Sequence, residues 1–187
     1  RDGAFLLFLL VGLVYPLALY GANGMVNAFL NEGLGVGLAR VGVYTSVFGI
    51  GTVLGGIVGG PLIRRVGRRN SLIAALLITL AATVGLAAVP SAGLAWVIVF
   101  VFGIAFGYYE TVYFAMGMDF ADPRIAAFMF AFIMAVGNVG IGLGQPLTGV
   151  LVDTVGFRWM FGVLAAVLLL PLPFVYAIFK LQKQQSL

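Results

Sequence analysis

Gly59-Gly60-Pro61-Leu62-Ile63-Arg64-Arg65-Val66-Gly67-Arg68-Arg69-Asn70-Ser71 carries four of the chain's ten Lys/Arg residues within six positions. Uncharged apolar runs flank it on both sides. Each is long enough to cross about 30 Å of hydrocarbon as a helix rising about 1.5 Å per residue. The stretch therefore reads as a tight polar turn between two membrane-spanning helices. Short loops rich in Lys and Arg stay on the cytoplasmic side of a bilayer, so the turn also orients the chain.

Composition points the same way. The chain is 63% hydrophobic and 9% charged, against about 25% charged in soluble domains, which excludes a soluble fold. The net charge of +4 follows from topology and is not a nucleic-acid surface. Cysteine and histidine are absent, which removes disulfides, zinc and haem ligation through these residues, and His-activated nucleophiles. The acidic residues are Asp2, Glu32, Glu110, Asp119, Asp122 and Asp153. No two aspartates sit within apolar runs, as an intramembrane aspartyl protease needs, and no phosphate-binding loop is present. No enzymatic activity, metal site or cofactor is expected.

Taken in order, the uncharged runs predict transmembrane helices at about 4–30, 41–63, 71–89, 94–118, 125–152 and 158–179. Pro90-Ser91-Ala92-Gly93 divides the long run after Asn70 into two helices. The acidic turn Asp119-Phe120-Ala121-Asp122-Pro123-Arg124 ends the fourth. With the basic turn inside, Arg1, Arg64, Arg65, Arg68, Arg69, Arg124, Lys180 and Lys183 are cytoplasmic, and Arg40 and Arg158 lie outside. The expectation is a multi-pass protein of the plasma or inner membrane, with both termini of this segment cytoplasmic. No cleavable signal segment is visible. Because the chain begins with Arg1, it is expected to be part of a longer twelve-helix protein.

A repeat runs through this plan. Gly60-Pro61-Leu62-Ile63-Arg64-Arg65-Val66-Gly67-Arg68-Arg69 aligns with Gly149-Val150-Leu151-Val152-Asp153-Thr154-Val155-Gly156-Phe157-Arg158 at an offset of 89 residues. Gly, Leu, Val, Gly and Arg coincide. One copy ends the second helix and the other ends the fifth. Helices one to three and four to six thus form two copies of a unit that, with an odd number of crossings, lie inverted to each other.

Gly60, Gly67, Arg68 and Arg69 resemble the Gly-x-x-x-Asp-x-x-Gly-Arg-Arg signature of the major facilitator superfamily. Arg64 stands in place of its Asp, a departure commoner in the second half of these transporters, so the resemblance implies the C-terminal six helices. Gly156-Phe157-Arg158-Trp159-Met160-Phe161 and Gly140-x-Gly142-x-Gly144-Gln145-Pro146-x-x-Gly149 are similar to the opening of the sixth helix and to the fifth helix of a half. Met118 to Ala131, with Asn138-Val139-Gly140, is similar to the muropeptide permease and acetyl-CoA transporter branch. The resemblance implies an all-α fold of six helices in an inverted three-plus-three repeat, whose first and fourth helices line a central cavity. It also gives the basic loop a gating role.

Polar residues within apolar runs face protein or a water-filled cavity and so outline a pathway. Tyr20, Asn23 and Asn27 share one face of the first helix. The fourth helix carries Tyr109, Glu110 and Tyr113, with Glu110 the sole acid well inside an apolar run. It is the candidate to exchange a proton or pair with a cationic substrate group. Tyr109 and Tyr113 are candidates to stack on substrate. Asn138 on the fifth helix is a further cavity candidate, and Gln145 is expected to satisfy carbonyls freed by Pro146. Gly51, Gly55, Gly59, Gly140 and Gly144 give smooth faces for helix contact. Asp119 and Asp122 share the cytoplasmic side with Arg64, Arg65, Arg68 and Arg69, which together with Gly60 and Gly67 make a candidate gating loop.

The expected function is secondary active transport of a small organic solute by alternating access, with proton coupling left open and Glu110 the candidate either to carry the proton or to pair with a cationic substrate group. The expected partners are membrane lipid, the solute, and either the missing N-terminal six-helix half or a second copy of the chain. The alternative is a non-transporting scaffold or assembly subunit. A channel is disfavoured because no ring of charges or carbonyl-lined filter is apparent.

Overall fold

The computed structural model describes residues 2–185, with side chains described over 3–181. Arg1 and the side chain of Lys183, both assigned above to the cytoplasmic side, lie outside these ranges. Backbone groups in hydrocarbon must be satisfied within the segment, so the apolar runs form helices. These are α1 (Asp2–Ala28), continuing into a π-helical turn at Phe29–Gly33, then α2 (Leu38–Val66), α3 (Arg68–Ala88), α4 (Ala92–Phe120), α5 (Ala126–Val167) and α6 (Pro171–Gln185). No strand occurs among the described residues.

Five stretches are long and apolar enough to cross a membrane. The last, Ala126–Leu181, has 56 residues; as one straight helix it would extend about 84 Å, far more than a single crossing. Two breaks divide it. Gly156, at φ 80° and ψ 167°, is non-helical inside α5, and the backbone turns again over residues 168–170. The helix expected over 158–179 is therefore interrupted. Pro171 supplies no backbone N–H and disfavours helix at the residue before it, and the bonds Leu169 N to Ala166 O and Leu170 N to Val167 O, 3.1 and 3.0 Å, tighten the chain there.

The basic stretch is tighter than its sequence implies. α2 continues through Arg64 and Arg65 to Val66, and α3 begins at Arg68, so Gly67 alone makes the turn. Its φ of 82° and ψ of 160° lie in a region essentially reserved for glycine. Gly156, 89 residues on, has nearly the same angles.

Packing follows the same inversion. The most extensive contacts are α2 on α4 and α1 on α5, followed by α3 on α4 and α1 on α6. Exchanging the first, second and third helices for the fourth, fifth and sixth maps each of these pairs onto another. Within a bilayer, helices gain from close van der Waals packing, which small residues permit. A Cβ on Gly51 or Gly55 would strike the backbone at Phe100 and Ile104; one on Gly140 or Gly144 would strike Leu13 and Leu17. Gly103 and Gly107 on α4 similarly meet the carbonyls of Phe48 and Thr52. The glycines are thus where two backbones touch.

The ends of the bundle sort its charges. At one end Arg68 pairs with Asp119, and Arg69 lies over the Tyr176 ring, 5.5 Å from its centroid. At the other, Arg158 donates to the carbonyls of Ala87 and Val89 at 3.0 and 2.8 Å. These are orphan acceptors at the C-terminal end of α3, where a cation is favoured.

Candidate functional site

Glu110 lies in α4, ten residues or about 15 Å of helix from Phe120. It is part-exposed, and one carboxylate oxygen accepts a 3.1 Å hydrogen bond from the Tyr20 hydroxyl of α1. Tyr20 is held edge-on against Phe106, with centroids 4.8 Å apart. Around Glu110 is a small recess of about 50 Å³ lined by α1, α4 and α5, including Pro16, Tyr20, Tyr109, Tyr113, Met134 and Asn138. The fold therefore brings together five of the seven predicted cavity residues.

The other two lie elsewhere. Asn23 and Asn27 line a separate recess of about 90 Å³ with Tyr44, Thr45, Phe48 and Val99, and the Thr45 hydroxyl donates to Asn27 Oδ1 at 3.1 Å. The shared face of the first helix is real, but α2 covers its later turns and α5 its earlier ones. One predicted cavity becomes two recesses.

Tyr109 and Tyr113 need a second correction. Both are buried. Tyr109 stacks on Tyr15 with centroids 3.5 Å apart, and Tyr113 stacks on Phe8 at 4.7 Å. In this conformation their faces are taken by α1, so they wall the recess and are not open platforms. Neither hydroxyl has a hydrogen-bond partner among the described residues. Gln145 is also reassigned: its side chain is exposed and makes no hydrogen bond among the described residues, while its carbonyl accepts from Thr148 at 2.8 Å.

At the basic end, Arg68 Nε lies 2.5 Å from Asp119 Oδ2. Asp122 instead accepts from the backbone N–H of Arg124 at 2.9 Å, as an Asx turn. Arg64 and Arg65 are exposed and form no ion pair among the described residues. A Cβ on Gly60 would meet open space. Of the predicted gating residues, the structure joins one pair.

The sequence reading missed Tyr15, whose hydroxyl is hydrogen-bonded to Thr79 of α3 and whose ring backs Tyr109. It sits beside Pro16 inside an apolar run, where a tyrosine gives no signal beyond core packing. Thr79 and Thr83 are completely buried; four residues apart, they were legible as a polar stripe. Thr45, the partner of Asn27, gave no comparable signal.

An all-helical bundle with glycine-sealed crossings and part-exposed polar groups inside its apolar spans defines an integral, multi-pass membrane protein. The sequence pattern of the Major Facilitator Superfamily matches residues 8–186, and the chain belongs to that superfamily of transporters. A putative metabolite transport protein of Bacillus subtilis (strain 168), YwtG, is 27% identical over 152 residues, covering 79% of this chain and 33% of that protein. The chain thus spans about a third of the length of this curated relative. Among solved structures, a peptide transporter POT in complex with alafosfalin superposes with a TM-score of 0.83 at 21% identity, over 96% of this chain and 39% of that one. The proton:xylose symporter XylE bound to 6-bromo-6-deoxy-D-glucose gives 0.73 at 20% identity, over 96% and 44%. At such identities these two likenesses concern the fold.

Proposed function

We propose that this chain is a six-crossing half of a secondary transporter that moves a small organic solute by alternating access, coupled to protons through Glu110. In this reading the segment after Gly156 is the sixth crossing. The basic end faces the cytoplasm of a plasma or inner membrane, and a second six-helix bundle completes the pathway. That bundle is the other half of a longer chain or, less favoured, a second copy of this one. The observation that carries the proposal is the Glu110–Tyr20 pair. A carboxylate inside an apolar span is costly, and it is held by a phenol in a recess reached from α1, α4 and α5. The class of activity follows from the superfamily, and a putative metabolite transport protein of Bacillus subtilis is among the chain's relatives.

The test is uptake into proteoliposomes holding the full-length protein. Glu110→Gln should abolish proton-driven accumulation while leaving expression and folding intact. Undiminished coupling in that variant would remove Glu110 from the mechanism. The competing reading, a scaffold whose polar groups only join helices, draws on the Tyr20–Glu110 and Asn27–Thr45 bonds. It predicts no flux of any solute in the same vesicles.

A further inference from the structure

The two recesses are copies of one another. Carbonyls of Leu13 and Leu17 stand to Gly140 and Gly144 as those of Phe100 and Ile104 stand to Gly51 and Gly55, so α1 and α4 register at an offset of 87 while α2 and α5 register at 89. Applied to Asn23, Val26 and Asn27, the first offset gives Glu110, Tyr113 and Phe114. Applied to Tyr44, Thr45 and Phe48, the second gives Ile133, Met134 and Gly137. All six of these residues line the Glu110 recess. The fold has made the same hollow twice, and the side chains have made them chemically different.

We propose that the two recesses hold the two ends of one elongated ligand, an organic ammonium at Glu110 and an uncharged amide or hydroxyl group at Asn23 and Asn27. At Glu110 the only polar partner among the described residues is the Tyr20 hydroxyl. A phenol donates a hydrogen bond but does not neutralise the charge, and no Lys or Arg occurs between Arg69 and Arg124 or between Arg1 and Arg40. An uncompensated carboxylate in apolar surroundings gains most from a cation. The walls beside it, Tyr20, Tyr109, Tyr113 and Phe114, are aromatic and apolar, which suits the hydrocarbon stem of an alkylammonium whose charged end meets Glu110.

The second recess has no charge to offer. The Asn23 side chain and the Asn27 amide N–H₂ make no hydrogen bond among the described residues, leaving both donors and acceptors for a neutral polar group. Between the recesses runs an apolar wall: Tyr20 touches Phe106, and Phe106 touches Phe48 with centroids 5.4 Å apart. Tyr20 and Asn27 are seven residues apart on one helix, about 10 Å. A ligand of about that length, polar at both ends and apolar between, matches the pair.

The inference rests on the transport reading for the accessibility of both recesses, but its test is a binding measurement that needs no flux. Probes are 6-aminohexanamide, hexylammonium, which lacks the amide, and hexanamide, which lacks the ammonium. Each is titrated calorimetrically into the full-length protein in detergent. The unmodified protein should bind 6-aminohexanamide about tenfold or more tighter than either truncated probe, the scale of one lost charged or polar contact. Glu110→Gln should erase the advantage over hexanamide and keep that over hexylammonium; Asn23→Leu should do the reverse. Equal affinities across the series in the unmodified protein overturn the proposal, even where a variant fails to fold. So does a Glu110→Gln loss shared equally by all three probes. Proton-driven uptake lost in Glu110→Gln alongside a flat ligand series sinks this inference and leaves the transport reading standing. The predicted ligand series without flux sinks that reading instead.

Discussion

The first and second three-helix copies of this chain share a backbone plan and differ in chemistry. Gly67 and Gly156 make the same left-handed turn. Gly51 and Gly55 press against α4 as Gly140 and Gly144 press against α1. Yet Glu110 in the second copy corresponds to Asn23 in the first, and Arg68 and Asp119, which form an ion pair, correspond to Phe157 and Glu32, of which Phe157 packs against Phe29 with centroids 5.8 Å apart. The difference teaches that symmetry is kept where backbones meet and given up where groups meet solvent or solute. A glycine contact is fixed by van der Waals geometry, whereas a recess tolerates any side chain that fits.

The largest effect should come from filling a glycine crossing. Gly55→Val and Gly144→Val each place methyl groups inside a facing backbone carbonyl, at a cost of about 3 kcal/mol or loss of folded protein. Gly142→Val, with open space around it, should change stability little. Thermal unfolding in detergent checks all three. Tolerance at Gly144 with intolerance at Gly55 would break the equivalence of the copies.

Next come the paired turns. Gly67→Ala and Gly156→Ala each force a side chain into a glycine-only conformation, costing about 2 kcal/mol. The two melting temperatures should fall by similar amounts. A penalty confined to Gly67 would mean that Gly156 relaxes into continuous helix and that the break in α5 is not a turn.

The smallest effect belongs to the feature that has no counterpart. Arg68 and Asp119 are 55% and 32% exposed, so their coupling should be only about 0.5 kcal/mol and screened by salt. Asp119→Arg should shift the balance between inward-open and outward-open states, read by cysteine accessibility, and Arg68→Asp should restore it. Additive effects in that double-mutant cycle would mean the pair is a solvated contact and not a latch.

Much of this was legible in the chain itself. Uncharged runs bounded by charge give helices, because hydrocarbon leaves the backbone no other partner. The offset of 89 between Gly67 and Gly156 was visible because only glycine accepts that conformation, so both copies retain it. The glycine spacing on α2 and α5 announced close contact for a similar reason. Glu110 stood out because a lone carboxylate in an apolar run is costly to place there.

What the sequence did not hold was which helix covers which face. Tyr20, Asn23 and Asn27 share a stripe at helical spacing, yet the stripe is split because α5 crosses α1 near Pro16 and α2 covers its later turns. Tyr109 and Tyr113 are candidates to stack on substrate by type and position, but Tyr15 and Phe8 cover their faces. The second offset, 87 between α1 and α4, leaves no run of shared residues and exists only as a set of carbonyl-to-glycine contacts. By itself the sequence determined the apolar helical runs, their glycine repeat and the carboxylate at Glu110 inside one of them, all local consequences of the solvent and of glycine. Only the tertiary structure decided that Asn23 and Glu110 are counterparts in twin recesses, because that relation lies between helices distant in the chain.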